Sequence, residues 1–167
     1  FSGVARSTTI KMLLATANQE NEYIKVVDIV NAFVRTEVKG YDIYIQQPHL
    51  YEQKGNNNEK LVCKLNKYLY GLLQASREFN LKLKGILRDK HNFIISTSEN
   101  CLAIRLKTKT TERIRIGMYV DDLIMTCKSS QQLNKFISEI EKDFPITQED
   151  ITQVLGIQIK YDKEIGL

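Results

Sequence analysis

The chain has 167 residues, of which 43% are hydrophobic and 26% charged, which is ordinary for one soluble globular domain spanning residues 1–167. No apolar run approaches the roughly 18 residues of a membrane span, and residues 1–6 lack a signal-peptide layout, so we expect a soluble protein that is not exported. The formal net charge of +4 is compatible with a nucleic-acid partner without requiring one.

The ends of the chain and its cysteines set two further expectations. The first residue is not Met and the last two are Gly166-Leu167, so we expect a piece of a longer polypeptide. Cys63, Cys101 and Cys127 are far apart in apolar, strand-like runs. This spacing predicts reduced core cysteines rather than a disulfide framework or a zinc site.

The first third of the chain predicts a helix followed by strands. Apolar residues recur at helical spacing from Ser7 onward, behind a Ser-Thr-Thr cap. Residues 23–27 are β-branched or aromatic and lead directly into Asp28, which places an acid at the end of a strand. Residues 41–46 and 61–65 alternate in polarity across a polar loop and predict neighbouring antiparallel strands.

The middle of the chain predicts an amphipathic helix between Gln74 and Asp89 and then short strands. Residues 93–95 and 102–106 are two such strands, and residues 114–120 are a third. These elements lead to the pair of acids described next.

Asp121-Asp122 lies between two apolar runs, which predicts that both acids sit at the tip of a hairpin. A helix capped by Ser130 and ended by Pro145 follows, and residues 154–159 predict a last strand. The mixed order predicts an α+β fold, with an antiparallel sheet and helices packed on one face.

The acids at the two predicted strand ends suggest a metal site. Asp28 and Asp121-Asp122 would form a three-carboxylate cluster if the sheet brought them to one edge. Such a cluster repels itself unless a cation neutralises it, and oxygen ligands at an open strand end suit Mg²⁺, with Mn²⁺ as the alternative. Two such ions would support phosphoryl transfer. The plain alternative is a solvated Asp-Asp turn, with Asp28 acting only as a helix cap.

Three motifs in order resemble the reverse transcriptases of copia-type retrotransposons. Residues 119–122, Tyr-Val-Asp-Asp, match the Tyr-x-Asp-Asp box, and residues 27–33 are similar to the Asp-Val-x-x-Ala-Phe box. Residues 62–77 resemble the signature Cys-Lys-Leu-x-Lys-x-Leu-Tyr-Gly-Leu-Lys-Gln-Ala-x-Arg. Similarity runs from residues 1–6 to residues 155–157, so it covers nearly the whole chain.

The resemblance implies an RNA-directed DNA polymerase whose palm, with part of the fingers, lies in this chain. It implies Asp28, Asp121 and Asp122 as the catalytic ligands of two magnesium ions. The nucleotide-binding residues it implies belong to all three motifs. They are Ile29 and Val30 by their backbone near the triphosphate, Phe33 under the sugar as the gate that excludes a 2′-hydroxyl, Gln74 in the pocket, and Tyr119. For Phe33 a plain core aromatic is the competing interpretation, and for Gln74 a surface glutamine.

The implied partners are a template-primer duplex of RNA or DNA, dNTP, and the rest of a Pol polyprotein with the missing fingers, thumb and ribonuclease H. Arg77 and Lys82 are candidate contacts to the duplex backbone, although we expect most basic residues of this helix only to solvate its surface. The expected location is a cytoplasmic retroelement particle.

Departures from the family pattern keep other functions open. Leu73 stands where the family usually has Lys, Phe79 where it has Trp, and Gly3 where it has Pro. A catalytically inactive remnant that binds nucleic acid or protein is therefore the alternative to a polymerase core. Another two-metal phosphotransferase is a third interpretation, in which the Gln74 motif has no role.

Overall fold

A computed structural model describes residues 3–149, 153–154 and 157–158. The α-helices are α1 (Ser7–Gln19), α2 (Ala75–Asp89) and α3 (Ser130–Ile140), and a short 3₁₀ helix spans Phe33–Arg35. The strands are β1 (Tyr23–Ile29), β2 (Tyr44–Gln46), β3 (Val62–Lys64), β4 (Ile94–Ile95), β5 (Leu102–Arg105), β6 (Ile114–Tyr119), β7 (Asp122–Cys127), β8 (Ile146–Glu149), β9 (Gln153–Val154) and β10 (Ile157–Gln158). None of the described helices is long and apolar enough to cross a membrane.

Six strands form the main sheet in the order β4-β5-β6-β7-β1-β8, and every neighbouring pair is antiparallel. The predicted α+β class with an antiparallel, palm-like sheet is confirmed. The early strand β1 inserts between β7 and β8, so it lies beside the hairpin formed much later in the sequence. Strands β2 and β3 pair separately, as their alternating polarity predicted.

The central strand β6 is buried on both faces. Residues 114–118 are all buried, although successive side chains of a strand point to opposite sides of a sheet. A Cβ at Gly117 would lie 2.9 Å from the Cδ1 of Ile10 in α1, so α1 packs closely against this face. On the opposite face, Arg105 pairs in register with Ile114 and lies over the ring of Phe136 in α3. The helices therefore cover both faces, where the sequence had suggested one.

The helix ends differ slightly from their predicted positions. The N-cap of α1 is Arg6, which makes no side-chain cap hydrogen bond, and the predicted Ser-Thr-Thr cap is wrong because these residues form the first helical turn. The cap of α3 is Ser129 rather than Ser130, and its hydroxyl accepts from the backbone N–H of Gln132. This helix also ends at Ile140, before Pro145.

The predicted last strand at residues 154–159 is wrong in its described part. Gln153–Val154 and Ile157–Gln158 pair with each other as two antiparallel strands, so the backbone reverses instead of continuing. A run of alternating apolar residues does not distinguish one strand from a tight hairpin, because both share the same period. The remaining residues of this prediction, 155–156 and 159, lie outside the described residues.

The predicted core position is confirmed for two of the three cysteines. All three thiols are free, with Cys101 and Cys127 buried and Cys63 half-buried between the paired strands β2 and β3. Burial raises the pKa of the Cys101 and Cys127 thiols, so both favour the neutral form. These two cysteines behave as small core residues.

Candidate functional site

The pairing of β1 with β7 brings together the acids that the sequence separates. Asp28 in β1 is paired directly with Asp122 in β7, and the backbone N–H of Ile29 donates to the carbonyl of Asp121 at 3.0 Å. One carboxylate oxygen from each of Asp28, Asp121 and Asp122 lies within 4.8 Å of the others. All three residues are half-buried.

This donor set has the chemistry of a hard-cation site. Three carboxylates at this spacing repel one another, and burial weakens the screening of that repulsion by water. The three described ligand groups are all oxygen, which is the preference of Mg²⁺ and Mn²⁺. Because the residues are only half-buried, the cluster leaves room for waters or substrate oxygens to complete the coordination.

The hairpin that carries two of the acids has an unusual backbone. Val120 has φ of +56°, in the left-handed region that β-branched residues rarely adopt. Its N–H donates to the carbonyl of Gly3 at 2.9 Å, and the N–H of Ala5 donates to the carbonyl of Met118 at 3.0 Å. The segment near the start of the chain therefore holds the turn in place. Strain of this kind is concentrated at functional sites.

The two backbone N–H groups predicted to contact a triphosphate donate hydrogen bonds within the protein. Ile29 is fully buried and its N–H donates to Asp121, while the N–H of Val30 donates to the carbonyl of Pro145 at 2.9 Å. Contact between these amides and a ligand would require those hydrogen bonds to be replaced. Their role in nucleotide binding stays a prediction.

Phe33 lies in an aromatic cluster. It is only 8% exposed, and its ring centroid is 4.6 Å from that of Tyr70 and 6.2 Å from that of Phe79. Phe79 in turn contacts Phe144, with 5.8 Å between centroids. These are the contacts of a core aromatic, one of the two interpretations that the sequence left open.

Tyr70 is the residue that the sequence interpretation missed. Partial burial of its phenol raises its pKa, and the negative charges of Asp121 and Asp28 raise that pKa further. Its ring centroid lies 4.6 Å from that of Phe33, while 56% of the residue remains exposed. Its only signal in the sequence was its place in the motif before Gly71, whose φ of +93° favours glycine.

Gln74 and Tyr119 are the other predicted nucleotide contacts. Gln74 is exposed at the N-cap of α2, where its side chain makes no capping hydrogen bond. Tyr119 is half-buried and is the cross-strand partner of Asp122. The roles of Gln74 and Tyr119 in nucleotide binding stay predictions.

The two predicted duplex contacts differ in their surroundings. Arg77 is an exposed residue that pairs with Glu78 at 3.2 Å. Lys82 donates to the carbonyl of Arg35 at 2.6 Å, and its ammonium lies 5.5 Å from the centroid of the Phe144 ring. Burial lowers the pKa of Lys82. These contacts tie α2 to the 3₁₀ helix, which is a structural role for Lys82.

The departures at positions 3 and 79 fit the packing of the described chain. Phe79 is fully buried within the aromatic cluster. A Cβ at Gly3 would lie 1.9 Å from the side-chain nitrogen of Asn80, so a larger residue would require Asn80 to move. Leu73, by contrast, is 96% exposed. Two of the three departures are thus accommodated in the core.

Comparison with known proteins gives consistent matches. A family model described as reverse transcriptase (RNA-dependent DNA polymerase) matches residues 1–166. The chain is 28% identical over 160 residues to the retrovirus-related Pol polyprotein from transposon TNT 1-94 of Nicotiana tabacum, covering 95% of the chain and 12% of that protein. It is 31% identical over 161 residues to the polyprotein from transposon RE1 of Arabidopsis thaliana, covering 96% and 11%. A Saccharomyces cerevisiae relative, the transposon Ty1-NL2 Gag-Pol polyprotein, is 26% identical over 159 residues, covering 90% and 8%.

Proposed function

The chain belongs to the reverse transcriptase (RNA-dependent DNA polymerase) family, in the group found in Pol polyproteins of copia-type retrotransposons, and on this premise we propose that it carries the polymerase active site. The proposed reaction adds a dNTP to the 3′-hydroxyl of a primer on an RNA or DNA template. The primer oxygen bonds to the α-phosphorus, the bond to the bridging oxygen breaks, and pyrophosphate leaves. The hydroxyl proton passes to solvent.

The observation that carries this proposal is the convergence of the three acids. Asp28 and Asp122 are cross-strand partners and Asp121 is adjacent, with their oxygens within 4.8 Å. In this proposal the three residues hold two Mg²⁺ ions. When bound, the ions would lower the pKa of the primer hydroxyl and neutralise charge on the phosphates.

In this proposal the residues of the chain hold the three acids in position, and none of them acts as a nucleophile. The hydrogen bond from Ile29 to Asp121 links β1 to the hairpin, so the acids of both elements keep their spacing. The strained turn at Val120 is tied to the segment at Gly3, which holds the turn in place. A preorganised arrangement of this kind lowers the reorganisation needed when the substrate binds.

The experiment is primer extension on an RNA template with Mg²⁺, using this chain and the same chain with its natural flanking sequence. The curated relatives are much longer, since the chain spans 12%, 11% and 8% of the three described above. We expect incorporation by the form with flanks. Asp121→Asn should lower it by about 100-fold or more, the scale of losing one electrostatic stabilising group.

The matched control is Asp89→Asn, which removes an exposed carboxylate paired with Arg88 at 2.8 Å. This variant should incorporate nucleotides at the rate of the parent. Equal activity of the parent and Asp121→Asn would contradict the assignment of the site. Duplex binding without any incorporation by the form with flanks would instead support the inactive binding module.

A further inference from the structure

A second candidate binding site lies between β5 and α3, away from the three acids. It is a cavity of about 550 Å³ whose lining includes Arg105 at the end of β5 and Lys135 in α3. Arg105 pairs in register with Ile114 at one end of β6, whereas Tyr119 at the other end of β6 pairs with Asp122. The cavity therefore lies at the end of the sheet remote from the carboxylate cluster, and the reaction proposed above does not use it.

Arg105 carries a positive charge that no described residue neutralises. Its Nε is buried and has no hydrogen-bond partner among the described residues, and its guanidinium forms no ion pair with any of them. The guanidinium carbon instead lies 5.4 Å from the ring centroid of Phe93 and 5.3 Å from that of Phe136. These rings hold the cation in place, but a buried donor without an acceptor is costly. An oxygen acceptor supplied by a ligand would remove that cost.

One wall of the cavity is a turn that hydrogen bonds fix in place. The hydroxyl of Thr108 accepts from the backbone N–H of Thr111 at 3.0 Å, and the two hydroxyl oxygens are 2.7 Å apart. The backbone N–H of Glu112 donates to the side-chain oxygen of Gln132 at 2.7 Å, which ties the turn to α3. Because this wall is already ordered, a ligand loses less binding free energy to ordering it.

The charges around the cavity favour a ligand with few negative groups. The Lys, Arg and Glu side chains that line it are Lys90, Arg105, Lys135 and Glu139. Lys90 is already paired with Asp143, whereas the exposed Lys135 forms no ion pair with a described residue. Two cations, Arg105 and Lys135, are therefore left without an acidic partner. This number suits one or two anionic groups rather than a long anionic strand.

Apolar side chains at the cavity indicate a polypeptide ligand. Ile94 and Leu106 also line it, and each is 58% exposed. Ile94 lies in β4, the edge strand of the main sheet, whose outer side pairs with no described strand. An open edge of this kind can accept an extended peptide. A phosphodiester strand gains its affinity from many cations, so exposed apolar side chains favour it less.

We propose that this cavity binds a polypeptide segment that carries a carboxylate side chain between apolar residues. The two carboxylate oxygens accept from two N–H groups of the Arg105 guanidinium, whose planar fork matches their spacing. The Lys135 ammonium adds a second positive charge beside them. The apolar neighbours of the acidic residue cover Ile94 and Leu106. This site goes beyond the polymerase reaction, so it is tested without nucleotide incorporation.

The test measures the fluorescence anisotropy of labelled peptides mixed with the chain. The first probe is the peptide Gly-Val-Glu-Leu-Gly and the matched probe is Gly-Val-Gln-Leu-Gly, which has the same size without the charge. A third probe is a short single-stranded oligothymidylate. We expect the glutamate peptide to bind about 10-fold more tightly than the glutamine peptide, because hydrogen bonds between charged groups are the stronger ones.

Four variants assign the binding to the cavity. Arg105→Met keeps an apolar chain over the rings and should weaken binding of the glutamate peptide by about 10-fold. Arg105→Lys keeps the charge but loses the planar fork, so binding should fall between that of the parent and that of Arg105→Met. Lys135→Met should weaken binding by about 3-fold. The control Arg88→Met, which removes an exposed pair with Asp89, should bind like the parent.

Circular dichroism melting checks that each variant is folded. Because Lys135 is exposed, Lys135→Met should fold like the parent and keeps the test decisive even if Arg105→Met does not fold. Equal binding of the two peptides, no binding of either, or no effect of the Arg105 and Lys135 changes would overturn the proposal. Tighter binding of the oligothymidylate than of the glutamate peptide, lost in Lys135→Met, would indicate a nucleic-acid site and would also overturn it. Primer extension tests the polymerase assignment separately from all of these outcomes.

Discussion

Two groups of charged residues lie near opposite ends of β1, β6 and β7, one made of carboxylates and the other of carboxylates paired with arginines. At one end are Asp28 and Asp122, with Asp121 beside them. Toward the other end, Arg115 donates to Glu22 at 2.6 Å and to Glu20 at 2.7 Å, and Arg113 also donates to Glu20. Arg115 and Asp122 share a face because alternate residues of β6 pair with alternate residues of β7.

The two groups place a stabilising ion-pair network and a candidate reactive site at different ends of one sheet. The arginine network is neutralised within the protein, and its central pair is deeply buried, with side-chain exposures of 10% for Arg115 and 1% for Glu22. The acid cluster gathers three carboxylates, so its electrostatic cost falls when a cation binds. Removing charge should therefore damage the first group and relieve the second.

The largest expected effect on stability is in the arginine network. Arg115→Met leaves Glu22 buried without its main cation, and breaking such a pair from one side costs about 3–5 kcal/mol. Urea unfolding followed by circular dichroism measures this change. The control is Arg88→Met, which removes an exposed pair with Asp89 and should change the free energy of unfolding far less. Equal costs for the two variants would remove the distinction between buried and surface pairs.

Removing a charge from the acid cluster should not lower the free energy of unfolding. Without divalent cations, Asp121→Asn removes one of three like charges, so the free energy of unfolding should be unchanged or higher by up to about 1 kcal/mol. With Mg²⁺ at about 100 times its dissociation constant, the parent should gain about 2.7 kcal/mol and the variant clearly less. Thermal melts of the parent and the variant, each in EDTA and in Mg²⁺, measure these changes. A large loss of stability in EDTA would show that the cluster is structural.

The smallest expected effect is the stability that the arginine network loses as the pH falls. Burial acts to raise the pKa of Glu20, but the charges of Arg115 and Arg113 outweigh it, so the folded pKa lies below the ordinary value of 4.5. A lowered pKa stabilises the fold above 4.5, and that stabilisation is lost as pH falls through the folded pKa. Comparing the parent with Glu20→Gln by urea titration from pH 7 to about pH 3 isolates this contribution.

We expect Glu20→Gln to be less stable at neutral pH by less than about 1 kcal/mol, because solvent screens this partly exposed side chain. The difference between the two proteins should shrink as the pH falls. A difference that stays constant across this range would show that the carboxylate charge of Glu20 is not the stabilising feature.

Much of the fold could be predicted because its signals are local. Leu83 and Leu87 recur at helical spacing and are buried as predicted, whereas Ile86 on the same predicted face is only partly buried. The hairpin that carries Asp121 and Asp122 followed from two apolar runs around a pair of acids. Cap positions were less accurate, since Ser129 and Ser130 are chemically identical and only the backbone geometry selects one.

The sequence by itself determined the family, the helix and strand periods, and the acids that were candidates for one site. The tertiary structure decided that Asp28 lies opposite Asp122, that Tyr70 covers Phe33, and that Arg115 reaches Glu22. The last pair is separated by 93 residues in the chain. Periodicity records which face of an element is apolar, but it does not record which distant element covers that face. Pairing and register arise from long-range contacts, so the neighbours of a side chain are known only once the sheet is assembled.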